Sequence, residues 1–337
     1  WRSYNPSTGI QLLASGKLYV RAAVLQDDIF ETTSSAYETL KLVATNDAGQ
    51  GAEGTGKIWD DGTGDIFDEN SRNTTPKNSN DADYPDYLDD DRTITVTGRT
   101  VNEAAGTITF IATGAQGVFV SFDLIDGSAK EGQDFTGVLE ISHDNGATWI
   151  AYTDDSAVQF TSSGKILVRT AVTNDDVFEN GENLVLEATK LSNSTIKYAN
   201  GIIVDDGNGG DDDGDGTDNA GDTAKDDDRP VFTVNDVTVN ESAGTMTFTV
   251  TRTGKTALTS SVDFATSDDT AVVTADYTAK NGTLLFDADA VSTVSSKTVT
   301  VDITTDNILE SDETFEINLS SPGDARIGDN LGVGKII

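Results

Sequence analysis

The chain of 337 residues has no cysteine, one histidine (His143), one methionine (Met246) and five prolines. Without cysteine it can build neither a disulfide framework nor a thiolate metal site. A single histidine leaves no Ser-His-Asp set, no HExxH pair is present, and no Gly-rich phosphate loop follows a strand pattern. Basic residues are also scarce. Against 58 Asp and Glu stand 22 Lys and Arg, a net charge of −36. So acidic a surface repels polyanions, which disfavours nucleic acid and anionic membranes as partners. No window approaches the roughly 18 apolar residues of a membrane span, so no membrane insertion is expected. The opening residues do not read as a signal peptide.

What the chain does have is carboxylate in repeated places. Asn174–Leu184 reads NDDVFENGENL; it recurs as Gln26–Leu40, QDDIFETTSSAYETL, and as Thr305–Phe315, TDNILESDETF. Each copy stands between two β-like runs and reads as a tight acidic loop. The carboxylates are Asp27, Asp28, Glu31 and Glu38; Asp175, Asp176, Glu179 and Glu182; and Asp306, Glu310 and Glu313. One such loop would be ordinary solvated surface. Three in the same context point to a cation among them, and hard oxygen donors in such numbers suit Ca²⁺.

The acidic loops belong to a larger repeat. Residues 1–31 align without gaps to 149–179, with 14 of 31 positions identical, among them Trp1/Trp149, Gly16/Gly164 and Arg21/Arg169. Repeats of this kind signal a tandem array. Residues 1–61 then form the back half of a module, lacking the counterpart of 92–148. Either a longer array or another subunit is expected to supply it. Residues 62–91 read as an acidic linker, 92–206 as a full module, 207–228 as an Asp/Gly-rich linker and 229–337 as a further module. Each linker carries the same bracket, from Asp60-Asp61 to Asp89-Asp90-Asp91-Arg92 and from Asp205-Asp206 to Asp226-Asp227-Asp228-Arg229. Such repeated brackets suggest a site at each junction.

Within the modules the pattern is that of strands. Period-two alternation is expected over 107–110, 118–124, 137–141, 165–172, 183–188 and 202–204, with Ser142–Tyr152 as a hairpin tipped by Asn145-Gly146. Trp149 is expected to plug one end of the core, and His143 to lie at the surface. In the last module Met246, Phe248 and Val250, then Val299, Val301 and Ile303, then Phe315, Ile317 and Leu319 alternate with polar residues. About seven short strands over roughly 110 residues, with no helical period, indicate an immunoglobulin-like β-sandwich. The fold class is all-β: tandem sandwich modules joined by acidic linkers.

The combination of Thr238–Gly244 (TVNESAG) or Thr100–Gly106 (TVNEAAG), then Asp276-Tyr277 or Asp134-Phe135, then the acidic loop resembles the Calx-beta repeat. The resemblance covers nearly all of both full modules and the back half in 1–61. It implies a sandwich holding Ca²⁺ at one end. In module two the ligands would be Glu103, Asp134, Asp175, Glu179, Glu182, Asp205 and Asp206. In module three they would be Glu241, Asp276, Asp306, Glu310 and Glu313, and in the partial module Asp27, Glu31, Glu38, Asp60 and Asp61. Asn174, Gln26 and Thr305 stand where calcium-binding members can carry a further acid, which points to one or two ions per site.

Two other motifs remain. Asp211, Asp213, Asp215 and Asp222 sit at EF-hand loop positions one, three, five and twelve, with Gly216 at six. No amphipathic helix flanks them, and an Asp/Gly-rich run can match by composition. Paired carboxylates could cleave glycosides, but acids repeated at module junctions suit structural metal, so no enzyme is expected. The long array, acidic linkers and lack of cysteine look like giant bacterial adhesins. The expected function is a calcium-binding structural or adhesive segment of a secreted or cell-surface protein. Its partners would be calcium ions, its own neighbours and a surface ligand of unknown type. The alternative is a self-assembling filament or surface-layer subunit completed by a neighbouring chain.

Overall fold

A computed structural model describes residues 3–337 except 13, 28, 31–36, 68–75, 83, 209–225 and 309. The chain divides into two units, Trp1–Arg92 and Thr93–Ile337.

Among the described residues the first unit contains one antiparallel hairpin, β1 (Tyr37–Thr45) and β2 (Gly51–Trp59), in register from Tyr37↔Trp59 to Thr45↔Gly51. The Asn46 side chain closes the turn by accepting the Ala48 and Gln50 N–H groups. At the other end the Lys57 ammonium sits 3.8 Å from the centre of the Tyr37 ring, a cation–π contact. Most side chains of both strands are exposed.

The second unit holds two sandwiches. In the first, β3 (Ile94–Thr97), β4 (Thr100–Asn102), β5 (Thr107–Gly114), β6 (Phe119–Asp126), β7 (Glu140–Ser142), β8 (Ile150–Ala151), β9 (Val158–Gln159), β10 (Lys165–Ala171), β11 (Val177–Phe178), β12 (Glu182–Lys190) and β13 (Ile196–Val204) follow in order. All but β11 make two sheets, ordered β3-β5-β10-β7-β8 and β4-β13-β12-β6-β9. In the second sandwich come β14 (Val231–Val234), β15 (Val237–Val239), β16 (Thr245–Thr253), β17 (Lys255–Thr256), β18 (Ser260–Asp268), β19 (Asn281–Phe286), β20 (Val294–Asp302), β21 (Glu313–Gly323), β22 (Arg326–Ile327) and β23 (Leu331–Ile336). Their sheets are β20-β16-β14-β22 and β15-β23-β21-β18-β19.

Alternation explains the cores. Met246, Phe248 and Val250 point inward from β16 and are fully buried, facing Phe315 and Ile317 from β21. Phe110, Phe122, Ile166, Val168, Leu184 and Leu186 do the same in the first sandwich. Each such side chain contributes about 1.5–3 kcal/mol on burial. Gly201 and Gly334 mark where β13 and β23 lie closest to these cores. A Cβ at Gly201 would come within 2.6 Å of Ile108, and one at Gly334 within 2.6 Å of the Met246 sulfur.

Two expectations about side chains are corrected. Trp149 is absent from the buried core; it is half-exposed, with the Arg169 guanidinium 3.9 Å from its ring centre. His143 is half-buried, with Nδ1 enclosed and unpartnered, because the hairpin loop folds back around Asp144. The Asp144 carboxylate accepts hydrogen bonds from Ser142 Oγ at 2.8 Å and from Thr148 N and Oγ1 at 2.8 and 2.6 Å. These bonds hold its pKa down at about 2.

The sandwiches are also joined by β11 and β17, a parallel pair with Val177↔Lys255 and Phe178↔Thr256 in register. Sequence patterning does not mark these two-residue strands. Among the described residues no helix is long and apolar enough to cross a membrane.

Candidate metal centre

The acidic loop after β10 is held by backbone donors that the repeated motifs place around it. Thr173 N–H donates to the Asp134 carbonyl at 2.9 Å, fastening the loop entrance to the turn that carries Asp134. Asp175 N–H donates to Glu103 Oε1, and Val177 N–H to Asp175 Oδ1 at 2.7 Å. Module three repeats this wiring. Thr304 N–H donates to the Asp276 carbonyl at 2.9 Å, Asp306 N–H to Glu241 Oε1 at 2.7 Å, and Ile308 N–H to Asp306 Oδ1 at 2.6 Å.

This wiring gathers carboxylates into trios whose oxygens lie within 4.8 Å of one another: Asp134, Glu179 and Glu182; Glu103, Asp205 and Asp228; Asp276, Glu310 and Glu313; and, in the first unit, Asp60, Asp89 and Asp91. Two oxygens 4.8 Å apart can both touch one ion whose bonds to oxygen are about 2.4 Å long, the calcium distance. In module two the first trio, with Glu103 and Asp205 of the second, lines one cavity of about 20 Å³, which has room for a water-sized occupant. Asp205 is 4 % exposed and its Oδ1 is buried without a hydrogen-bond partner. A buried orphan carboxylate oxygen is costly in an empty site and expected of a ligand.

The electrostatics agree with the geometry. Burial, with Asp175, Asp228 and Glu179 adding to it, pushes the Glu103 carboxyl up to about 7. Burial and then Glu103 and Asp228 push Asp205 to about 8. Burial and then Asp134 push Glu182 to about 7. Glu179, Asp228, Glu310 and Glu313 are also raised, in each case first by burial and then by neighbouring carboxylates. Near neutral pH Glu103, Glu182 and Asp205 hold protons or repel, and a divalent cation would relieve both conditions. The donor set is all hard oxygen, which fits calcium.

The structure sorts the expected ligands. It brings together Asp134, Glu179 and Glu182, Glu103 with Asp205, and Asp276, Glu310 and Glu313. Asp175 lines the module-two cavity with its carboxylate engaged by the Val177 N–H, and Asp306 is engaged likewise. Glu241 binds the loop backbone and lies outside its module's trio. Asp176 points away, to Lys255 at 2.7 Å. Asp206 takes Asn208, and Asp61 takes Thr63, so both second acids of the Asp-Asp pairs hold linker turns. Asp27 accepts the Ile29 N–H, and neither it nor Glu38 joins the trio of Asp60. Asp28, Glu31, Asp211, Asp213, Asp215 and Asp222 lie outside the described residues. The trios also contain Asp89, Asp91 and Asp228, which individual assignment missed; the repeated Asp-Asp-Asp-Arg bracket was their signal.

That bracket is a charge clamp. Asp206 and Asp227 form an isolated antiparallel bridge, and Arg229 Nε and Nη2 donate to the two oxygens of Asp227, each at 2.8 Å. In the first unit Asp61 and Asp90 form the same bridge, and Arg92 donates to Asp90 at 2.9 and 2.6 Å.

The fold and site define a tandem array of β-sandwich modules with carboxylate clusters at the module ends. Residues 89–207 and 225–332 each match the Calx-beta domain, and the chain belongs to that family. Among solved structures it is similar to the apo form of the Calx CBD1 domain, at 24 % identity over 32 % of this chain and 96 % of that one, TM-score 0.30. It is similar to CBD12 from CALX1.2, at 19 % identity over 72 % and 99 %, TM-score 0.29. It is also similar to CBD12 of CALX1.1, described as a calcium binding domain, at 20 % identity over 67 % and 80 %, TM-score 0.27. No curated protein sequence matches the chain.

Proposed function

We propose that this chain is a calcium-braced structural segment of an extracellular, multi-module surface protein. The observation that carries the calcium reading is the Glu103–Asp205–Asp228 trio, whose Asp205 is buried with one carboxylate oxygen lacking a hydrogen-bond partner. Glu103 opens module two, Asp205 closes it, and Asp228 leads into module three. An ion there would neutralise the repulsion and tie three chain segments together. The neighbouring trio carries Glu179, beside Phe178, whose carbonyl accepts the Ala257 N–H of module three at 2.9 Å. Loop filling and module contact therefore share one short segment.

The relative whose description includes calcium binding supports the choice of ion. The strong acidity and the absence of cysteine favour a secreted, adhesive setting over a catalytic role. The test is a calcium titration of the full chain by calorimetry, paired with melting curves in EGTA and in millimolar calcium. Heat of binding with a large rise in melting temperature is expected; no response to calcium would sink the reading. A second reading, a filament subunit, is favoured by the β1–β2 hairpin, a two-stranded sheet with both outer edges unpaired among the described residues. Edges of this kind accept added strands. Calcium-dependent polymers in sedimentation runs would select it.

A further inference from the structure

Asn102 ends β4 and is 0 % exposed. Its Oδ1 accepts the Ala104 N–H at 3.1 Å, capping the short 3-10 turn Glu103–Ala105, and also accepts the Asp226 N–H at 2.7 Å. Its Nδ2 donates to the carbonyls of Asn208 at 3.0 Å and Asp226 at 3.1 Å. Asn208 and Asp226 are the residues on either side of segment 209–225. One buried amide therefore grips both ends of the second linker.

Other bonds reinforce the grip. Asp228 N–H donates to the Asp205 carbonyl at 3.3 Å, alongside the Asp206–Asp227 bridge. Arg326, from module three, donates to the Asp227 carbonyl and carboxylate, both at 3.1 Å. A flexible tether would leave its two attachment points far apart, because its end-to-end distance grows with the square root of its length. Here the attachment points share a hydrogen-bond partner.

We propose that Asn102 is a pin which holds residues 208 and 226 together. The separation of modules two and three is then independent of linker length, and the same pin positions Asp228 against Glu103 and Asp205. The pin uses neutral hydrogen bonds, so it operates whether or not the trio holds a metal. Asn240, which caps the equivalent turn of module three through the Ser242 N–H at 3.1 Å, serves as the control for a cap lost away from this linker.

The native chain lacks cysteine, so Lys197→Cys and Val291→Cys place a spin-label pair on the two modules without competing thiols. Gly-Ser segments of about 10 and 20 residues are inserted between Asn219 and Ala220, and the label distance is read by pulsed electron resonance; a flexible spacer would widen by roughly 10 Å for the longer insert. The expected result is an unchanged distance in both. Amide hydrogen exchange on the full chain then assigns the pin. Asp226 and Asp228 are expected to be protected in the native protein, to exchange at least tenfold faster in Asn102→Ala, and to stay protected in Asn240→Ala. Asn102→Asp, which keeps the capping acceptor and removes both donated bonds, serves if Asn102→Ala fails to fold. A distance that grows with insert length overturns the proposal, as does equal opening in the Asn102 and Asn240 variants.

Discussion

The carbonyl of Phe178 accepts hydrogen bonds from Thr256 Oγ1 at 3.1 Å and from Ala257 N at 2.9 Å. Phe178 belongs to the acidic loop of module two, and Thr256 is a fully buried residue of module three. Phe178 is 5 % exposed. Removing its buried ring loosens the segment that carries this contact. Phe178→Ala is therefore expected to split a shared unfolding transition into two, read by scanning calorimetry in calcium. An unaltered single transition would mean that the β11–β17 contact does not couple the modules.

The trio of Asp134, Glu179 and Glu182 makes opposite demands with and without metal. Glu179→Gln combined with Glu182→Gln removes ligands, so the calcium-loaded melting temperature should fall. The same change removes buried repelling charge, so the temperature in EGTA should rise. An ion that binds only the native form stabilises it by about 2.7 kcal/mol at a hundred times its dissociation constant. Loss of that increment is the size to look for. A parallel fall in both conditions would indicate simple misfolding.

Stability in EGTA should decline as pH rises. Glu103 and Glu182 are held at about 7 and Asp205 at about 8, all above their ordinary values. The folded form keeps these protons after the unfolded chain has released its own at about pH 4. More protons bound in the native state means a negative slope of stability against pH. The stabilisation is full below about pH 4 and is lost as pH climbs through about 7 to 8. Urea midpoints at several pH values test this, and a midpoint that rises over that window would contradict it. Calcium binding should release protons, so its apparent affinity should increase with pH.

Tyr277 stacks on Phe315 with ring centres 4.3 Å apart, while its hydroxyl donates to Asp268 Oδ1 at 2.7 Å. Burial, with the Asp268 hydrogen bond next, raises its phenol pKa. Tyr277→Phe keeps the stack and loses the bond. It should cost about 1 kcal/mol, the usual net value of such a bond, measured by urea denaturation. No change in the midpoint would show that the bond adds nothing net.

Much of the architecture could be read from local pattern because strands repeat every two residues. Met246, Phe248 and Val250 announce a half-buried strand whatever surrounds them. Edges were harder: β3, β4 and β11 are two to four residues long, below the length at which alternation becomes visible. Gly201 opens the run GIIV and Gly334 the run GKII, but the reason for each glycine lies across the sandwich, in Ile108 and Phe110 for one and Met246 for the other.

By itself the sequence determined the strand faces, the module repeat, the carboxylate loops and the Asp-Asp-Asp-Arg brackets, since all of these depend on residue type and spacing along the chain. The choice among those carboxylates was made by the tertiary structure. Asp205 and Asp206 are adjacent and chemically identical, yet one is buried against Glu103 and Asp228 while the other holds Asn208. Both follow the end of β13, and Asp206 is drawn off into the bridge with Asp227 while Asp205 is left in the trio. Contacts between distant segments, such as Asn102 with Asp226 and Phe178 with Thr256, depend on how two sandwiches and a linker pack, and packing leaves no local trace in residue order.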